Sequence, residues 1–274
     1  MFGNQISHVD DGAFSDLVAL EELNLGMNKL TCLSDHTFHS LDNLLVLTQK
    51  SITTITPSSN SVPLLFKSII KISKTSTGLR KLDVSGNHFK IFSITANVFP
   101  HLQTLHLSFS GPYENGSMEW DVPDRYFLRN VSSLDLSWIH MSIEMMSMVL
   151  QSLNSLVNLK LNHTGVLQNY IIELSELSFR SMKQLRILLL GKNILSSVPN
   201  ATRNFPTLEI LDLSGNRIIK LGCSDFANLT RFTELYLDFN KNMNFEGCVF
   251  QDLGALKPLA LGNNLILALD GAFN

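Results

Sequence analysis

The chain has 274 residues, of which 45% are hydrophobic and only 16% charged, and this composition excludes an intrinsically disordered protein. Its formal net charge of −3, from 21 basic and 24 acidic residues, argues against a protein that holds polyanions by bulk charge. Three cysteines are too few for a dense disulfide scaffold or for a zinc site made of four thiolates. No apolar run in the sequence reaches the about 18 residues that a membrane span needs.

One pattern, L-x-x-L-x-L-x-x-N-x-L, recurs from one end of the chain to the other. Its units begin at Leu20, Leu44, Leu79, Leu102, Val131, Leu156, Leu185, Leu208, Phe232 and Leu256. The fourth position of every unit is Leu, and a Phe recurs six residues before several unit starts, at Phe14, Phe38, Phe179, Phe226 and Phe250. A tandem repeat of this kind predicts a leucine-rich repeat solenoid of the α/β class. We expect a horseshoe with a parallel β-sheet on its concave face and irregular or short helical segments on its convex face.

Each position of the repeat has a structural role. Because side chains alternate along a strand, the leucines of the L-x-L segment point into the coil, and the residues between them face outward. An Asn at the ninth position turns inward, where its amide can bond backbone groups of neighbouring coils. We therefore predict a structural ladder of asparagines made by Asn4, Asn28, Asn87, Asn193, Asn216, Asn240 and Asn264.

The repeat predicts a single solenoid domain over residues 1–274, with about 11 units when the partial first and last ones are counted. Asn4 already occupies a ninth position, so the first unit begins in its middle. We find no pattern of a signal peptide, capping repeat, transmembrane segment or signalling domain. The expectation is that the chain is a piece of a longer repeat protein.

The irregular unit between Leu44 and Gly78 leads into a cluster of basic residues. The cluster contains one acid, Asp83, and six bases: Lys67, Lys71, Lys74, Arg80, Lys81 and Lys90. Two interpretations remain open. One is a patch that contacts an acidic ligand such as phosphate-rich nucleic acid, and the other is an ordinary solvated face.

Other candidate ligand-binding residues lie at strand or insert positions that we expect to be exposed. His106 and His163 gain positive charge when protonated below about pH 6.5, which suits a sensor that works in the endosome. Aromatic side chains anchor many protein interfaces. The candidates in this group are His106, Phe109, Trp120, Lys160, His163, Tyr236 and Phe239.

Two kinds of covalent modification are suggested by spacing. N-x-S/T sequons make Asn115, Asn130, Asn162, Asn200 and Asn228 candidate glycosylation sites, and we expect Asn162 to lie in an exposed turn. Cys223 and Cys248 occupy nearly the same place on adjacent coils, because they are 25 residues apart where the local repeat is 24. Both a disulfide and two buried thiols are compatible with this spacing.

No catalytic residue is expected. The chain lacks G-x-S-x-G, H-E-x-x-H, P-loop and G-x-G-x-x-G motifs. His36 and His39 have no acidic or Cys partner at ligand spacing. We predict neither enzyme activity nor a metal ion or other cofactor.

The phrases LDLSGNRI at residues 211–218 and LDVSGN at residues 82–87, with the unit length and the recurring Phe, resemble the ectodomain of Toll-like receptors. The resemblance implies an ectodomain of a single-pass membrane receptor, located outside the cell or in the endosomal lumen. It further implies a microbial ligand, nucleic acid or protein, and pairing with a second receptor chain in a homo- or heterodimer. The alternative is a secreted or cell-surface leucine-rich repeat protein of adhesion or structure, without a signalling role.

Overall fold

The computed structural model describes residues 1, 4–25, 41, 44, 46–48, 69–72, 78–86, 91–94, 99–108, 118–124, 126–164, 176–241, 244–251 and 253–268. The chain divides into two compact units. The first unit comprises Met1–Val131 and Trp138–Met141, and the second comprises Ser132–Ser137 and Ser142–Asn274.

The described part of the first unit is built from short strands. In chain order they are β1 Glu22–Asn24, β2 Val46–Thr48, β3 Ile69–Ile72, β4 Lys81–Asp83, β5 Ile91–Ile94, β6 Thr104–His106 and β7 Glu119–Asp121. β1, β2, β4 and β6 pair in parallel, in that order, and we call them the main sheet of this unit. β3, β5 and β7 form a separate parallel sheet.

The second unit combines strands with short helices. Its elements are β8 Ser133–Asp135, α1 Ile143–Gln151, β9 Asn158–Lys160, α2 Glu176–Phe179, β10 Ile187–Leu189, a 3₁₀ helix Asn200–Asn204, β11 Ile210–Asp212, β12 Lys220–Leu221, β13 Glu234–Tyr236, β14 Asn244–Phe245 and β15 Leu259–Ala260. β8, β9, β10, β11, β13 and β15 form the main sheet of this unit, all parallel. β12 and β14 make a small second sheet.

The repeat predicts the register of both main sheets. Leu at the fourth position of one unit pairs with Leu at the fourth position of the next, as in Leu82 with Leu105 and Leu188 with Leu211. These leucines are buried, and full burial of each stabilises the fold by about 2 kcal/mol. The prediction of a leucine-rich repeat fold with a parallel sheet and few helices is confirmed.

The inward asparagines of the second unit join neighbouring coils. Asn216 Nδ2 donates to the carbonyls of Leu190 and Leu213, at 3.0 and 2.9 Å, and its Oδ1 accepts the N–H of Leu195. These bonds satisfy buried backbone groups that have no strand partner. Equivalent bonds are made by Asn193, Asn240 and Asn264. Asn4 donates to the Met1 carbonyl at the exposed start of the chain, and Asn28 and Asn87 lie outside the described residues.

At seven coils of the described chain, the residue at the eighth position of the repeat turns the chain out of the sheet with a positive φ. This eighth position has φ of 75° at Gly86 and 65° at Gly215. Side chains other than glycine take the same left-handed conformation at Trp138, His163, Lys192, Phe239 and Asn263. A backbone ladder continues through the turn, because each of these N–H groups can reach the next coil, as Lys192 N–H does to the Ser214 carbonyl at 2.7 Å.

The sheet formed by β3, β5 and β7 corrects one prediction about a contact residue. Trp120 was expected at an exposed insert position, but it lies at the centre of β7 with 8% of its surface exposed. Its ring stacks on that of Phe92 in β5, with centroids 4.9 Å apart. Trp120 is therefore a core residue, because burial of its large apolar ring against Phe92 stabilises the fold.

The helix α1 is stabilised by a capped first turn and by apolar residues that share one face. Ser142 Oγ accepts the N–H of Met145 at 3.1 Å and so begins the helix. Met146, Val149 and Leu150 lie on one face at helical spacing and are buried. None of the helices in the described part of the chain is long and apolar enough to cross a membrane.

Candidate functional site

The outward face of the main sheet in the second unit has an apolar centre. Ile187 and Leu189 lie on either side of the buried Leu188 in β10, so both point outward, and each is half-buried. Ile210 in β11 is the register partner of Ile187 and is half-buried too. We call Ile187, Leu189 and Ile210 the apolar centre.

An ion pair forms one border of the apolar centre. The Arg186 guanidinium donates twice to the Glu209 carboxylate, at 2.8 and 2.7 Å. This hydrogen bond lowers the pKa of the Glu209 carboxyl and raises the pKa of Arg186. The two-point geometry fixes both side chains beside the apolar centre, although exposure to solvent keeps their net attraction small.

On the β13 side the border is acidic and aromatic. The Tyr236 hydroxyl donates to Glu234 Oε2 at 2.8 Å, which raises the pKa of the phenol. Tyr236 is the register partner of Asp212, so its ring lies one strand spacing from that carboxylate. Phe239 follows in the turn after β13 and has 64% of its surface exposed.

A notch lies at Gly191, at the end of β10. A Cβ atom added to Gly191 would lie 3.0 Å from Asp212 Oδ2, 3.1 Å from Ser214 Oγ and 3.2 Å from Asn162 Oδ1. A side chain here would crowd these oxygens, so only glycine fits without a shift of its neighbours. The notch is thus lined by polar oxygens of three coils beside the apolar centre.

Several predicted binding residues lie on this same face. Lys160 is in β9 beside Leu189, its register partner, and Tyr236 is in β13. His163 and Phe239 both occupy left-handed turns at the ends of their strands. These four predicted residues lie in or after strands of this face, and their role in binding stays a prediction; the sequence did not predict the apolar centre.

The three apolar centre residues were missed although a signal for them exists. Outward strand positions are polar in most units, as in Ser133 and Asp135, whereas the unit that begins at Leu185 has Ile187 and Leu189 there. Leucine and isoleucine occur at both interior and outward positions of these strands. Position within the strand, rather than residue type, separates the two.

The described residues of the predicted basic cluster lie in or next to two different sheets, and its role as a patch for an acidic ligand stays a prediction. Lys71 lies in β3 of the three-stranded sheet, whereas Lys81 lies in β4 of the main sheet, preceded by the exposed Arg80. Lys67, Lys74 and Lys90 lie outside the described residues, as does the aromatic candidate Phe109.

His106 lies deeper in the first unit than an exposed strand residue would. It is half-buried, and its Nδ1 is 3.7 Å from Asp83 Oδ2. Asp83 is itself buried and accepts the N–H of Ser85. The imidazole therefore neighbours a structural carboxylate at the end of β4.

The two candidate cysteines form a disulfide in the structure. Their Cα atoms are 5.1 Å apart, and the bridge lies at the edge of the small sheet of β12 and β14. Glu246 accepts the N–H of Cys223 and pairs with Lys220 at 2.7 Å. Both contacts lower the pKa of the Glu246 carboxyl, and the hydrogen bond from Lys220 has the larger effect. The sulfurs and the carboxylate come within 4.8 Å of one another, but the disulfide occupies both thiol ligands that a metal ion would need.

The sequons differ in exposure. Asn130, Asn200 and Asn228 are exposed and lie outside the main-sheet strands. Asn162 is half-buried, its Oδ1 accepts the N–H of Gly191, and Thr164 of the same sequon is buried against Asn193. The prediction of an exposed turn at Asn162 is therefore wrong, because the ladder binds its sequon. Asn115 lies outside the described residues.

Comparison with protein families agrees with this fold. The leucine rich repeat family profile matches residues 3–57 and 165–218. Together with the parallel sheet of repeat strands, the match supports a leucine-rich repeat fold for the chain.

The curated relatives are leucine-rich repeat proteins of different kinds. Leucine-rich repeat-containing protein 66 of Homo sapiens is 36% identical over 93 residues, and Transforming growth factor beta activator LRRC33 of Danio rerio is 33% identical over 111 residues. Toll-like receptor 3 of Boselaphus tragocamelus is 27% identical over 213 residues. The matches cover 34%, 39% and 77% of this chain but only 11%, 16% and 19% of the three relatives.

Among solved structures, an internalin from Listeria monocytogenes superimposes with a TM-score of 0.58 at 20% identity, covering 99% of this chain and 82% of the internalin. A likeness at this identity concerns the fold alone. It supports the repeat architecture derived from the strand register.

Proposed function

We propose that this chain is the ligand-recognition part of a Toll-like receptor ectodomain and that it recognises a protein through the outward face of the main sheet in its second unit. The observation that carries the proposal is the apolar centre, which places the half-buried Ile187, Leu189 and Ile210 on the outward face of the sheet, where most other strand positions are polar. The cores of protein interfaces are depleted of charge and their rims are polar, and this face has that arrangement.

A protein is a better match than nucleic acid for this face. Binding of nucleic acid requires cations that face the phosphates. Asp212, Glu234 and Asp238 border the apolar centre instead, and the cation Arg186 is neutralised by Glu209. A phosphate backbone would be repelled on the β11 and β13 side.

The Toll-like assignment is supported by the LDLSGN phrases and by the match to Toll-like receptor 3 over 77% of this chain. On this proposal the chain lies outside the cell or in the endosomal lumen, within a single-pass membrane receptor. It binds a microbial protein and pairs with a second receptor chain. Its role is binding, without catalysis.

A second candidate is a secreted or cell-surface protein with an adhesive or structural binding role. The identity of 33% with a Transforming growth factor beta activator, a relative outside the Toll-like receptors, favours it. Both candidates use a protein-binding face, so they differ in whether binding leads to a signal.

The binding face is tested with the purified chain on a biosensor. The probes are a panel of purified microbial surface proteins and secreted host proteins, with a double-stranded RNA for comparison. Ile187→Asp places a charge in the apolar centre, whereas Ile219→Asp is the control, because Ile219 is exposed and lies outside the main sheet. We expect a protein partner whose affinity falls at least about tenfold with Ile187→Asp and is unchanged with Ile219→Asp. Binding of the RNA alone, or a partner insensitive to Ile187→Asp, would overturn the proposal.

The two candidates are separated by a signalling assay. The chain is displayed on cells, joined to an intracellular reporter domain that is active only as a dimer. Addition of the partner found on the biosensor should activate the reporter if the chain recognises ligand in the manner of a Toll-like receptor. Binding of the partner to the cells without reporter activity favours the adhesive candidate.

A further inference from the structure

A cleft in the first unit lies between two consecutive coils, outside the strands of the main sheet. It has a volume of about 380 Å³ and is lined by Phe99 and Pro100, which precede β6, and by residues 123–124, 126–127 and 129–130, which lie between β7 and β8. This volume is within the range of about 300–1,000 Å³ that small-ligand pockets occupy. All of these residues belong to the first unit, so the cleft is a feature of that unit alone.

The cleft combines an apolar lining with an exposed aromatic ring. The rings of Phe99 and Phe127 are buried, whereas Tyr126 has 70% of its surface exposed. Asp124 Oδ1 accepts the N–H of Tyr126 at 2.8 Å, and the Tyr126 carbonyl accepts the N–H of Arg129 at 3.0 Å. These bonds fix the backbone of the turn, so the tyrosine ring is held at the edge of the cleft with apolar surface that a ligand can cover.

The amide of Asn130 lies at the same cleft and is held by the opposite wall. Its Nδ2 donates to the Pro100 carbonyl at 2.9 Å, a contact between residues 30 positions apart. Asn130 is exposed and begins the sequon Asn130-Val131-Ser132, the acceptor sequence for N-linked glycans. A carboxamide nitrogen has two hydrogens, and the bond to Pro100 uses one of them. A sugar can replace the other while the Pro100 contact stays in place.

We propose that Asn130 carries an N-linked glycan whose first sugar, an N-acetylglucosamine, packs in this cleft against Tyr126; the inference rests on the extracellular or endosomal location in the proposed function. The sugar ring has an apolar face that covers the tyrosine ring, and its hydroxyl and acetamide groups can bond with the Asp124 carboxylate and the Arg129 guanidinium. The occupant of the cleft is thus a carbohydrate attached to the protein itself.

The attachment transfers an oligosaccharide from a lipid-linked diphosphate donor. A bond forms between Asn130 Nδ2 and C1 of the sugar, while the bond between C1 and the diphosphate oxygen breaks. The lipid diphosphate leaves with the electron pair of that bond, and the proton lost from Nδ2 goes to a base of the transferring enzyme. No oxidation or reduction takes place.

An attached sugar suits the cleft better than a free ligand does. The covalent bond at Asn130 keeps the sugar next to the cleft, so its effective concentration there is high and little translational freedom is lost on packing. Asn200 and Asn228 begin sequons too and are exposed, but neither lines the cleft. Glycans at these two positions therefore provide the comparison for one that packs.

The test follows the glycans on the chain secreted from cultured animal cells behind a cleavable leader. Occupancy is measured by peptide mass spectrometry, and the rate at which a peptide N-glycosidase releases each glycan is measured on the folded and on the urea-denatured chain. Tyr126→Ala removes the ring, a change that the exposure of Tyr126 allows the fold to tolerate. Phe239→Ala is the control, because Phe239 is an aromatic residue of similar exposure, 64%, in the second unit. Urea unfolding of each variant verifies that it is folded.

We expect Asn130 to be glycosylated and its glycan to be released from the folded wild type at least about tenfold more slowly than from folded Tyr126→Ala. Phe239→Ala should keep the slow release. The glycans at Asn200 and Asn228 should be released at the same rate in all three proteins. Denaturation should remove the difference at Asn130, because the cleft exists only in the folded chain.

An unoccupied Asn130, or a glycan there that is released equally fast from the wild type and from Tyr126→Ala, overturns the inference and leaves the proposed function intact. A slow release that Phe239→Ala also removes overturns it too, because the effect would not be specific to the cleft. The proposed function is tested independently at Ile187, in the second unit. Its failure is recognised by partner binding that is insensitive to Ile187→Asp, whatever the state of Asn130.

Discussion

At the scale of single residues, each coil separates the positions that build the fold from those that face solvent. Asn216 binds carbonyls of two coils, so its amide cannot be replaced by a side chain of other chemistry without leaving buried groups unpaired. The neighbouring eighth position donates its backbone N–H to the next coil, and it accepts residues as different as Lys192 and Phe239. The sequence predicts the ladder because an inward Asn is specific. It does not predict what the eighth position contacts.

Gly215→Ala should destabilise the protein by about 1–2 kcal/mol. Gly215 has φ of 65°, and an added Cβ would lie 3.3 Å from Lys192 Cγ and 3.4 Å from its backbone. The control is Gly254→Ala, since nothing lies within 4 Å of the Cβ position and no left-handed φ is required. Urea unfolding of both variants provides the measurement. Equal midpoints for the two variants would show that the left-handed turn imposes no strain.

At the scale of elements, the strands are held by neighbouring coils rather than by their own length. No strand of the described chain is longer than four residues, and the main-sheet strands have at most three. The leucine spacing predicts the main sheets because each unit repeats it. β3, β5 and β7 lie in segments without that spacing, and Trp120 in β7 is buried because Phe92 on the preceding coil lies beneath it. Such a contact between coils is not visible in the spacing of a single unit.

Loss of the disulfide between Cys223 and Cys248 should destabilise the protein by about 3 kcal/mol. The bond closes a loop across 25 residues, and its loss increases the entropy of the unfolded chain. Urea unfolding with and without reductant measures the effect. In the Cys223→Ser, Cys248→Ser double variant, reductant should cause no further change in the unfolding midpoint. An equal shift of the midpoint in this variant would show that the effect of reductant does not arise from this disulfide.

At the scale of the whole molecule, the sequence predicts the architecture better than the binding face. Tandem leucines define the fold because interior positions repeat in every coil. A binding face depends on the few coils that break the repeat, as Ile187 and Leu189 do. Tyr236 and Phe239 could be identified from strand position and residue type alone, whereas the notch at Gly191 depends on side chains of three coils.

The stability of the protein should fall when the pH is lowered from 7.5 to 5.5, in part through His140. Burial lowers the pKa of its imidazole from the ordinary value of 6.5. As the pH falls, the unfolded chain therefore binds a proton at His140 before the folded chain does. The contribution of His140 to stability is fully present above pH 6.5 and is lost as the pH falls toward the lowered pKa of the folded state.

The contribution of His140 is measured by urea unfolding of His140→Gln at both pH values. The loss of stability on acidification should be smaller in this variant than in the wild type, whereas His101→Gln, a change at an exposed residue, should keep the wild-type loss. An unchanged pH dependence in His140→Gln would contradict the assignment.

The left-handed turn at the eighth position also affects which mutations the fold tolerates during evolution. Because the turn uses only backbone atoms to bind the next coil, a substitution of Phe239 or Lys192 alters what the surface contacts and leaves the register of the strands in place. The coils that carry Lys192 and Phe239 thus each supply one site where mutation is tolerated by the fold and visible to a partner. A chain of this kind can acquire a new specificity one coil at a time, without an intermediate that fails to fold.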